Sequence, residues 1–464
     1  MMIPAHAQPS AVSPLRPVPA EPARRSEPRN TREPATPGLR TNLAWMVVGT
    51  VWNGFCQWAM LIALAKLGTI EMVGAYTLGV AIATPILMFS CLNLRSIFVT
   101  DQRAAFRFHE YFTLRMVMLA ASVAAATVAG MLEGDRPELV LFIAAITAAK
   151  ALDYVSDMFY ALLQREENMR AIALSMILKG TLGLGAMAFA IVTHGSLSSI
   201  GVAIVIASGL VLVFFDVPVS LNLLEIKLAH AAHEAVLHGK EMLRNRRLAG
   251  RRLLALAWSG APLGLVVMLV SLNLNIPRYF VEHSFGMREQ GIFSSLVNVM
   301  AAGSVAVGAL GQCATPRLAK YFASGNMHAF RHLVWALTGI SAALGGVGFI
   351  AAAVFGRELL TLAYRPEFAM RQDVLVWLMA ASGALYLGST MGVAVTAVRC
   401  FMPQLPLFAL SVLTTTIACY LLVPAMGMRG AAAAIFISSI VQSVGGALLL
   451  RYACARNRIA AVAA

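Results

Sequence analysis

The residues of this chain best suited to bind a ligand form a stripe inside an otherwise apolar segment, residues 150–164. Lys150, Asp153, Asp157 and Gln164 follow one another at steps of three, four and seven residues, which places them on one face of a helix. Ionisable groups inside long apolar helices are costly to bury, so each is a candidate site residue. We expect Lys150 and Asp153 to neutralise each other and Asp157 to remain as the unpaired charge. The alternative is an ion pair that only fixes helix packing.

Other apolar segments contribute fewer polar groups. Asn53 and Gln57 are four residues apart in the first segment and share a face, which fits either a polar cavity wall or a hydrogen bond between helices. Lys179 lies inside the fifth segment, where it either lines a cavity or extends toward a membrane interface. Asp216 is close to the end of the sixth segment, just before Pro218, so we expect a solvated end-charge there.

Three arginines complete the candidate set. Arg95 and Arg399 lie at corresponding ends of the second and tenth apolar segments, and two guanidinium groups facing each other would suit a phosphate or pyrophosphate. Ordinary enrichment of basic residues on the inner side of a membrane is the alternative. Arg278 closes the seventh segment. No acidic residue lies deep in the second half of the chain, so a carboxylate that couples an ion is expected in the first half.

Signatures of soluble enzymes are missing from the sequence. It has no phosphate-binding P-loop, no GxSxG nucleophile motif and no HExxH metal motif. The six cysteines form no CxxC pair, which favours buried free thiols. We therefore expect no enzyme activity, resident metal or cofactor. Energy for any transport would come from H⁺ or Na⁺ coupling, the membrane potential or the gradient of the substrate.

Twelve long apolar stretches carry these residues, and a basic, histidine-rich segment divides them into two sets of six. The chain is 59% hydrophobic and 12% charged, with a mean hydropathy of +0.74, which is typical of an all-α integral membrane protein. A helix of about 20 apolar residues crosses a bilayer, and two equal sets indicate a transporter built from two halves. The predicted spans are residues 42–65, 73–94, 111–131, 138–162, 171–193, 198–221, 253–276, 290–313, 332–355, 374–397, 404–424 and 430–452.

The positions of the basic residues predict how the chain crosses the membrane. Of the 36 Lys and Arg residues, 26 lie on the side of the N-terminus and 8 on the opposite side. Basic residues concentrate on the cytoplasmic side of membrane proteins, so both termini are expected in the cytoplasm. The net charge of +14 therefore reflects topology, and a nucleic-acid partner is excluded.

Composition divides the chain into five predicted regions. These are a disordered, proline-rich cytoplasmic tail (1–41), an N-lobe (42–221), a cytoplasmic linker (222–252), a C-lobe (253–453) and a cytoplasmic tail (454–464). The linker contains His230, His233 and His238 followed by several arginines. We expect it to form a helix against anionic lipid headgroups, with a histidine metal site as the weaker alternative.

The two halves share short sequence patterns. An acidic residue precedes a glycine, an aromatic residue and a hydroxyl residue at the start of the second span (71–77) and again at the start of the eighth (289–294). The sixth and twelfth spans also start alike, at Gly201 and Gly430. Because six crossings return the chain to the same side, the halves are expected to form a parallel pseudo-repeat.

With these features the chain resembles the polysaccharide transporters of the MOP (multidrug/oligosaccharidyl-lipid/polysaccharide) superfamily, the Wzx-type flippases. Two stretches carry most of the resemblance: LDYVSDMFYALLQRE at 152–166 and VPAMGMRGAA at 423–432. The resemblance implies a MATE-like fold of two six-helix lobes around a central cavity. It also implies a multi-pass protein of the bacterial inner membrane.

The cargo that this resemblance implies is an oligosaccharide linked to undecaprenyl pyrophosphate. Alternating access would carry it from the inner to the outer leaflet for the synthesis of exopolysaccharide, capsule or O-antigen, alongside glycosyltransferases and a polysaccharide polymerase. A MATE-type cation-coupled drug exporter is the nearest alternative. A membrane glycosyl polymerase or ligase is less favoured because the outside loops are short. A major-facilitator carrier is disfavoured because residues 95–103 lack the glycines of its characteristic loop.

Overall fold

A computed structural model describes residues 39–100, 106–132, 137–222, 246–398 and 403–463, and all regular secondary structure in these ranges is helical. The helices are α1 (Leu39–Leu67), α2 (Ile70–Ser90), α3 (Leu94–Thr100), α4 (Phe108–Leu132), α5 (Pro137–Arg165), α6 (Met169–Thr193), α7 (Leu197–Val211), α8 (Arg246–Ala323), α9 (Met327–Ala363), α10 (Pro366–Ala369), α11 (Gln372–Ala397), α12 (Gln404–Met426) and α13 (Met428–Ala463).

Eleven helices in these ranges are long and apolar enough to cross a membrane. The twelve predicted spans become eleven because α8 contains the seventh and the eighth, joined at a kink. Gly286 forms that kink with φ 82° and ψ 179°, which only glycine adopts readily. We therefore treat α8 as two limbs, α8a (residues 246–285) and α8b (residues 287–323). The prediction of an all-α membrane protein is confirmed.

Side-chain caps and short turns reverse the chain between helices. The side chains of Thr69, Ser196 and Asn326 each accept a hydrogen bond from a backbone N–H in the first turn of the helix that follows. Because such connections are short, successive long helices run antiparallel. We call the face of the bundle where α1 begins the near face, and the face where α1 ends the far face.

The second helix begins and ends earlier in the sequence than expected. It was predicted over residues 73–94, but α2 ends at Ser90, and Leu92 and Asn93 adopt positive φ angles of 45° and 50°. Left-handed backbone of this kind ends a helix. Arg95 therefore belongs to the separate short helix α3, which packs against α5.

The similar sequence patterns at residues 71–77 and 289–294 are in contact, because α2 packs against α8b. A Cβ atom on Gly291 would lie 2.7 Å from the carbonyl oxygen of Ile70 and 2.8 Å from the backbone nitrogen of Gly74. One on Gly74 would in turn collide with the backbone of Met287. Glycine at both positions lets the two helices approach at backbone distance.

Several predicted regions lie outside the described residues. These include the tail up to residue 38 and most of the linker, with His230, His233 and His238. The division into two lobes at residues 42–221 and 253–453 stays a prediction. The predicted cytoplasmic tail at 454–464 is helical as far as Ala463, where α13 ends. No glycine or proline follows Gly446, and alanine favours helix.

Candidate functional site

A cavity of about 250 Å³ lies among α1, α2, α5, α6 and α7. Five of the nine candidate residues line it: Asn53, Gln57, Lys150, Asp153 and Lys179. The i, i+3 and i, i+4 spacings seen in the sequence point these side chains to the same side of α1 and of α5. The structure thus brings together polar groups from three helices that are far apart in sequence.

A chain of ion pairs crosses this cavity. The Lys179 ammonium lies 3.3 Å from Asp216 Oδ2 and 3.8 Å from Asp153 Oδ1. The Lys150 ammonium lies 3.9 Å from Asp153 Oδ2, as their spacing predicted. Asp153 therefore faces two lysines, and Lys179 faces two carboxylates. Lys150 has the more open environment, with 28% of its side chain exposed against 10% for Lys179.

The expectation that Asp216 is a solvated end-charge is wrong, because only 1% of its side chain is exposed. A π-helical turn over Leu212–Asp216 follows α7. Such a turn adds a residue to the helix and rotates those that follow, which is frequent at functional sites. Ser175 donates a hydrogen bond to Asp216 Oδ1 at 2.5 Å, and its hydroxyl also lies 2.6 Å from the Tyr160 hydroxyl.

A second charged group surrounds Asp157, nearer the near face. Arg95 lies 2.7 Å from Asp157 Oδ1, and its Nε donates to Gln164 at 2.9 Å. Arg115 lies 3.4 Å from Asp157 Oδ2. The prediction that Asp157 is the unpaired charge is therefore also wrong, because Arg95 and Arg115, from two other helices, both pair with its carboxylate.

Sequence reasoning missed Arg115, which counted only as one of the basic residues near the start of the third span. Its side chain is 1% exposed. The available signal was its spacing: Tyr111, Arg115 and Ser122 repeat at four and seven residues, and all three lie on the buried face of α4. Tyr76 was also missed as a cavity residue, although it belongs to the repeated pattern at the start of α2.

The Tyr160 ring connects the two charged groups. The Lys179 ammonium lies 5.3 Å and the Arg95 guanidinium 5.8 Å from its centroid, within cation–π range. Taken together, the two groups hold one more cation than carboxylates. The cations are Arg95, Arg115, Lys150 and Lys179, and the carboxylates are Asp153, Asp157 and Asp216.

A larger cavity of about 450 Å³ adjoins the first and lies between the two sets of helices. Gln57, Tyr76 and Lys150 line both cavities, while Arg278 and Asn298 contribute from α8. Arg278 is oriented by a hydrogen bond of 3.0 Å to Asn275 Oδ1. Lys150 and Arg278 therefore place one cation from each half on the wall of one cavity.

Beyond the cavities, contacts at the far face tie the two sets of helices together. Lys66 donates to the Leu362 carbonyl at 2.9 Å, and Arg365 donates to the carbonyls of Lys66 and Gly68 at 3.0 Å each. Deeper in the bundle, Trp58, which also lines the larger cavity, donates to the Tyr364 hydroxyl at 3.2 Å. We call the Lys66 and Arg365 contacts the far-face latch.

One candidate residue receives no structural account. Arg399 lies outside the described residues, so its pairing with Arg95 across a phosphate stays a prediction. Arg95 itself is engaged by Asp157 and Gln164. Within the described ranges, no group of three or more His, Cys, Asp or Glu residues is arranged to hold a metal ion.

Comparison with known proteins supplies a fold and one relative. No protein-family model matches the chain. It is 23% identical over 407 residues to the capsular polysaccharide biosynthesis protein CapF of Staphylococcus aureus, covering 87% of this chain and 97% of that protein.

Among solved structures, an inward-facing MATE multidrug resistance transporter of the MOP superfamily matches with a TM-score of 0.65 and 13% identity, over 90% of this chain and 98% of its own. An outward-facing MATE multidrug resistance transporter of the same superfamily matches with a TM-score of 0.60 and 16% identity, over 90% of this chain and 95% of its own. A MOP-superfamily transporter from Pyrococcus furiosus matches with a TM-score of 0.60 and 15% identity, over 88% of this chain and 94% of its own. Its binding pocket is described as having reverse polarity. The MATE-like fold is confirmed, since the chain is similar in structure to these transporters, and the chain is a multi-pass membrane protein.

Proposed function

We propose that this chain, which has the fold of the MOP-superfamily MATE transporters, carries an undecaprenyl-pyrophosphate-linked oligosaccharide from the inner to the outer leaflet of a bacterial inner membrane. The observation that carries the proposal is the excess of cations in the charged groups around the central cavity. The similarity to CapF supports a role in polysaccharide biosynthesis.

The cavity walls suit the two chemically different parts of such a cargo. Lys150 and Arg278 would bind the pyrophosphate, since they place cations from both halves on one wall. Asn53, Gln57 and Asn298 offer amide donors and acceptors for sugar hydroxyls. The polyprenyl tail would stay in the bilayer, because transfer of its apolar surface into a polar cavity is unfavourable.

Lys150 is the lysine we expect to contact the phosphate. Its one carboxylate partner is 3.9 Å away, longer than a charge-assisted hydrogen bond of about 2.7–2.9 Å. Lys179 is held by both Asp153 and Asp216 and is more buried. An entering phosphate would therefore compete with Asp153 for Lys150 and leave the Lys179–Asp216 pair intact.

Alternating access would move the cargo. With the far-face latch made, the cavity would take cargo from the near face, which the charge distribution predicts to be cytoplasmic. Release to the other side requires that the latch break as one half rocks against the other. We propose that an H⁺ or Na⁺ gradient, or the membrane potential, drives this cycle. Glycosyltransferases would supply the cargo and a polymerase would consume it.

The proposal is tested in a strain that lacks the gene. We expect lipid-linked oligosaccharide to accumulate in the inner leaflet and surface polysaccharide to be lost. Lys150→Gln should restore export roughly tenfold less well than the wild-type gene, in line with the loss of a hydrogen bond to a charged group. Lys320→Gln, an exposed cation near the end of α8b, is the matched control.

Three outcomes would overturn the proposal. Hypersensitivity to cationic drugs with normal polysaccharide would favour the cation-coupled exporter. Accumulation of unpolymerised sugar in the outer leaflet would favour the polymerase or ligase. Full complementation by Lys150→Gln at equal protein abundance would remove that residue from the cargo site.

A further inference from the structure

An apolar groove of about 650 Å³ runs along the outer surface of the second set of helices, between α9, α11 and α13. It lies away from the central cavity and shares no residue with it. Val444 and Trp335 in its wall are 54% and 73% exposed. In a chain that spans a membrane, apolar surface of this kind on the outside of the bundle faces lipid.

Two arginines lie near one end of this groove. Arg331 is in the second turn of α9, and Val334, Trp335 and Thr338 follow it on the same face. On α13 the lining runs from Ser443 past Arg451 to Ala455, one turn further toward the near face. Since a helix rises about 1.5 Å per residue, the apolar walls extend roughly 10 Å from Arg331 and 12 Å from Arg451.

Both arginines lie at the near face. α9 begins there, four residues before Arg331. α13 begins at the far face, and Arg451 comes 23 residues after Met428, which is about 35 Å along the helix. A hydrocarbon core of about 30 Å therefore places Arg451 at the headgroup level of the near leaflet. Trp335, one turn beyond Arg331, is the residue type that concentrates at this level.

We propose that this groove binds an anionic phospholipid of the near leaflet. Its phosphate would lie between the guanidinium groups of Arg331 and Arg451, and one acyl chain would pack along Trp335, Val444 and Leu450. The ion pairs among the described residues do not include either guanidinium, so both are available to an external anion. Two exposed cations beside an apolar slot match the charge and shape of such a lipid.

A second outer groove provides a natural comparison. It has a volume of about 970 Å³ between α6 and α7. Its polar residues are Thr181 in the middle of α6 and, at the far face, His194, Ser196, Ser198 and Ser199. Neither lysine nor arginine is among the described residues that line it. Both grooves are large and mostly apolar, but only the groove at α9 and α13 has two arginines among its described lining residues. That groove alone is expected to select lipids by headgroup charge.

Lipid titration of the purified full-length protein tests the site. Detergent-solubilised protein is titrated with phosphatidylglycerol or phosphatidylcholine, and bound lipid is counted by native mass spectrometry. We expect tighter binding of phosphatidylglycerol. Arg331→Gln combined with Arg451→Gln should weaken it roughly 30-fold, at about a factor of five for each basic residue near a lipid headgroup. Binding of phosphatidylcholine should not change.

Two further variants separate this site from a general charge effect. Arg317→Gln combined with Lys320→Gln removes the same charge from exposed near-face positions outside the groove and should leave phosphatidylglycerol binding within twofold. Val444→Trp should fill the slot and weaken both lipids. Equal losses in the two double variants, or equal binding of both lipids by the wild type, would overturn the proposal. The measurement contains no oligosaccharide, so its outcome is independent of the proposed transport function.

Discussion

The two lysines of the central cavity differ in how firmly their ammonium groups are held. Lys179 lies between two carboxylates, one of which, on Asp216, is almost wholly withdrawn from solvent. Lys150 faces one carboxylate at a longer distance and lines both cavities. We therefore propose separate roles for these two lysines: Lys179 would stabilise the packing of the first half, and Lys150 would be available to cargo.

Removing Lys179 should destabilise the protein. Lys179→Met leaves the buried Asp216 carboxylate without its cation, and breaking a buried pair in this way costs about 3–5 kcal/mol. Lys179→Met combined with Asp216→Leu should recover much of this loss, because neither charge is then left unpaired. Thermal melting in detergent measures both variants. A single variant as stable as the wild type would show that the pair contributes nothing.

Asp157→Asn tests the second charged group by the same reasoning. The change leaves the buried guanidinium of Arg115 and that of Arg95 close together without their shared carboxylate. We expect a lower melting temperature, with partial recovery when Arg115→Met is added. Glu358→Gln, which changes an acidic residue on a partly exposed part of α9, is the control and should melt like the wild type.

At the scale of helices, the contact between α2 and α8b depends on glycine. Gly74 and Gly291 meet at backbone distance, and the carbonyl of Met287 occupies the space where a side chain of Gly74 would lie. A backbone atom cannot move aside as a flexible side chain can. Substitution here must therefore separate the helices along the line where the two halves join.

Gly74→Ala should lower the free energy of unfolding by about 1–3 kcal/mol, the usual cost of overpacking. Gly339→Ala should act in the opposite direction. It is in the interior of α9, and apart from the backbone of its own helix turn and its chain neighbours nothing lies within 4 Å of its Cβ position. Alanine should therefore stabilise the helix by about 0.5–1 kcal/mol. Chemical or thermal unfolding of both variants measures the difference. Equal effects of the two substitutions would contradict the role assigned to Gly74.

For the whole molecule, the far-face latch holds the two sets of helices together on one side of the cavities. Arg365 contributes most directly, since its guanidinium binds two backbone carbonyls of the α1–α2 turn. Other far-face ion pairs, such as Arg429 with Asp373, join helices within the second set. When the halves separate at the far face, the contacts between the two sets of helices must break, but the contacts within one set need not.

Arg365→Gln should shift the protein toward conformers that are open at the far face. Loss of hydrogen bonds from a charged donor is worth about 1.5–3 kcal/mol, which is roughly a tenfold or larger change in the ratio of the two states. Spin labels at Leu67→Cys and Met370→Cys, in a background without native cysteines, report the distance between the two turns. Arg429→Gln is the control and should leave the distance distribution unchanged. An unaltered distribution in Arg365→Gln would exclude the latch.

Helix content and the positions of the apolar segments follow from the sequence alone, because hydropathy is a local property of each segment. That the seventh and eighth segments form one kinked helix does not. The spacing of residues 150–164 likewise predicted which side chains share a face of α5, and the Lys150–Asp153 pair is confirmed. Only the tertiary structure decided the other partners. Arg115 reaches Asp157 and Lys179 reaches Asp216 because α4, α6 and the turn after α7 pack around α5. Periodicity identifies the face of a helix that carries charge, but the neighbour opposite that face is set by packing between distant segments.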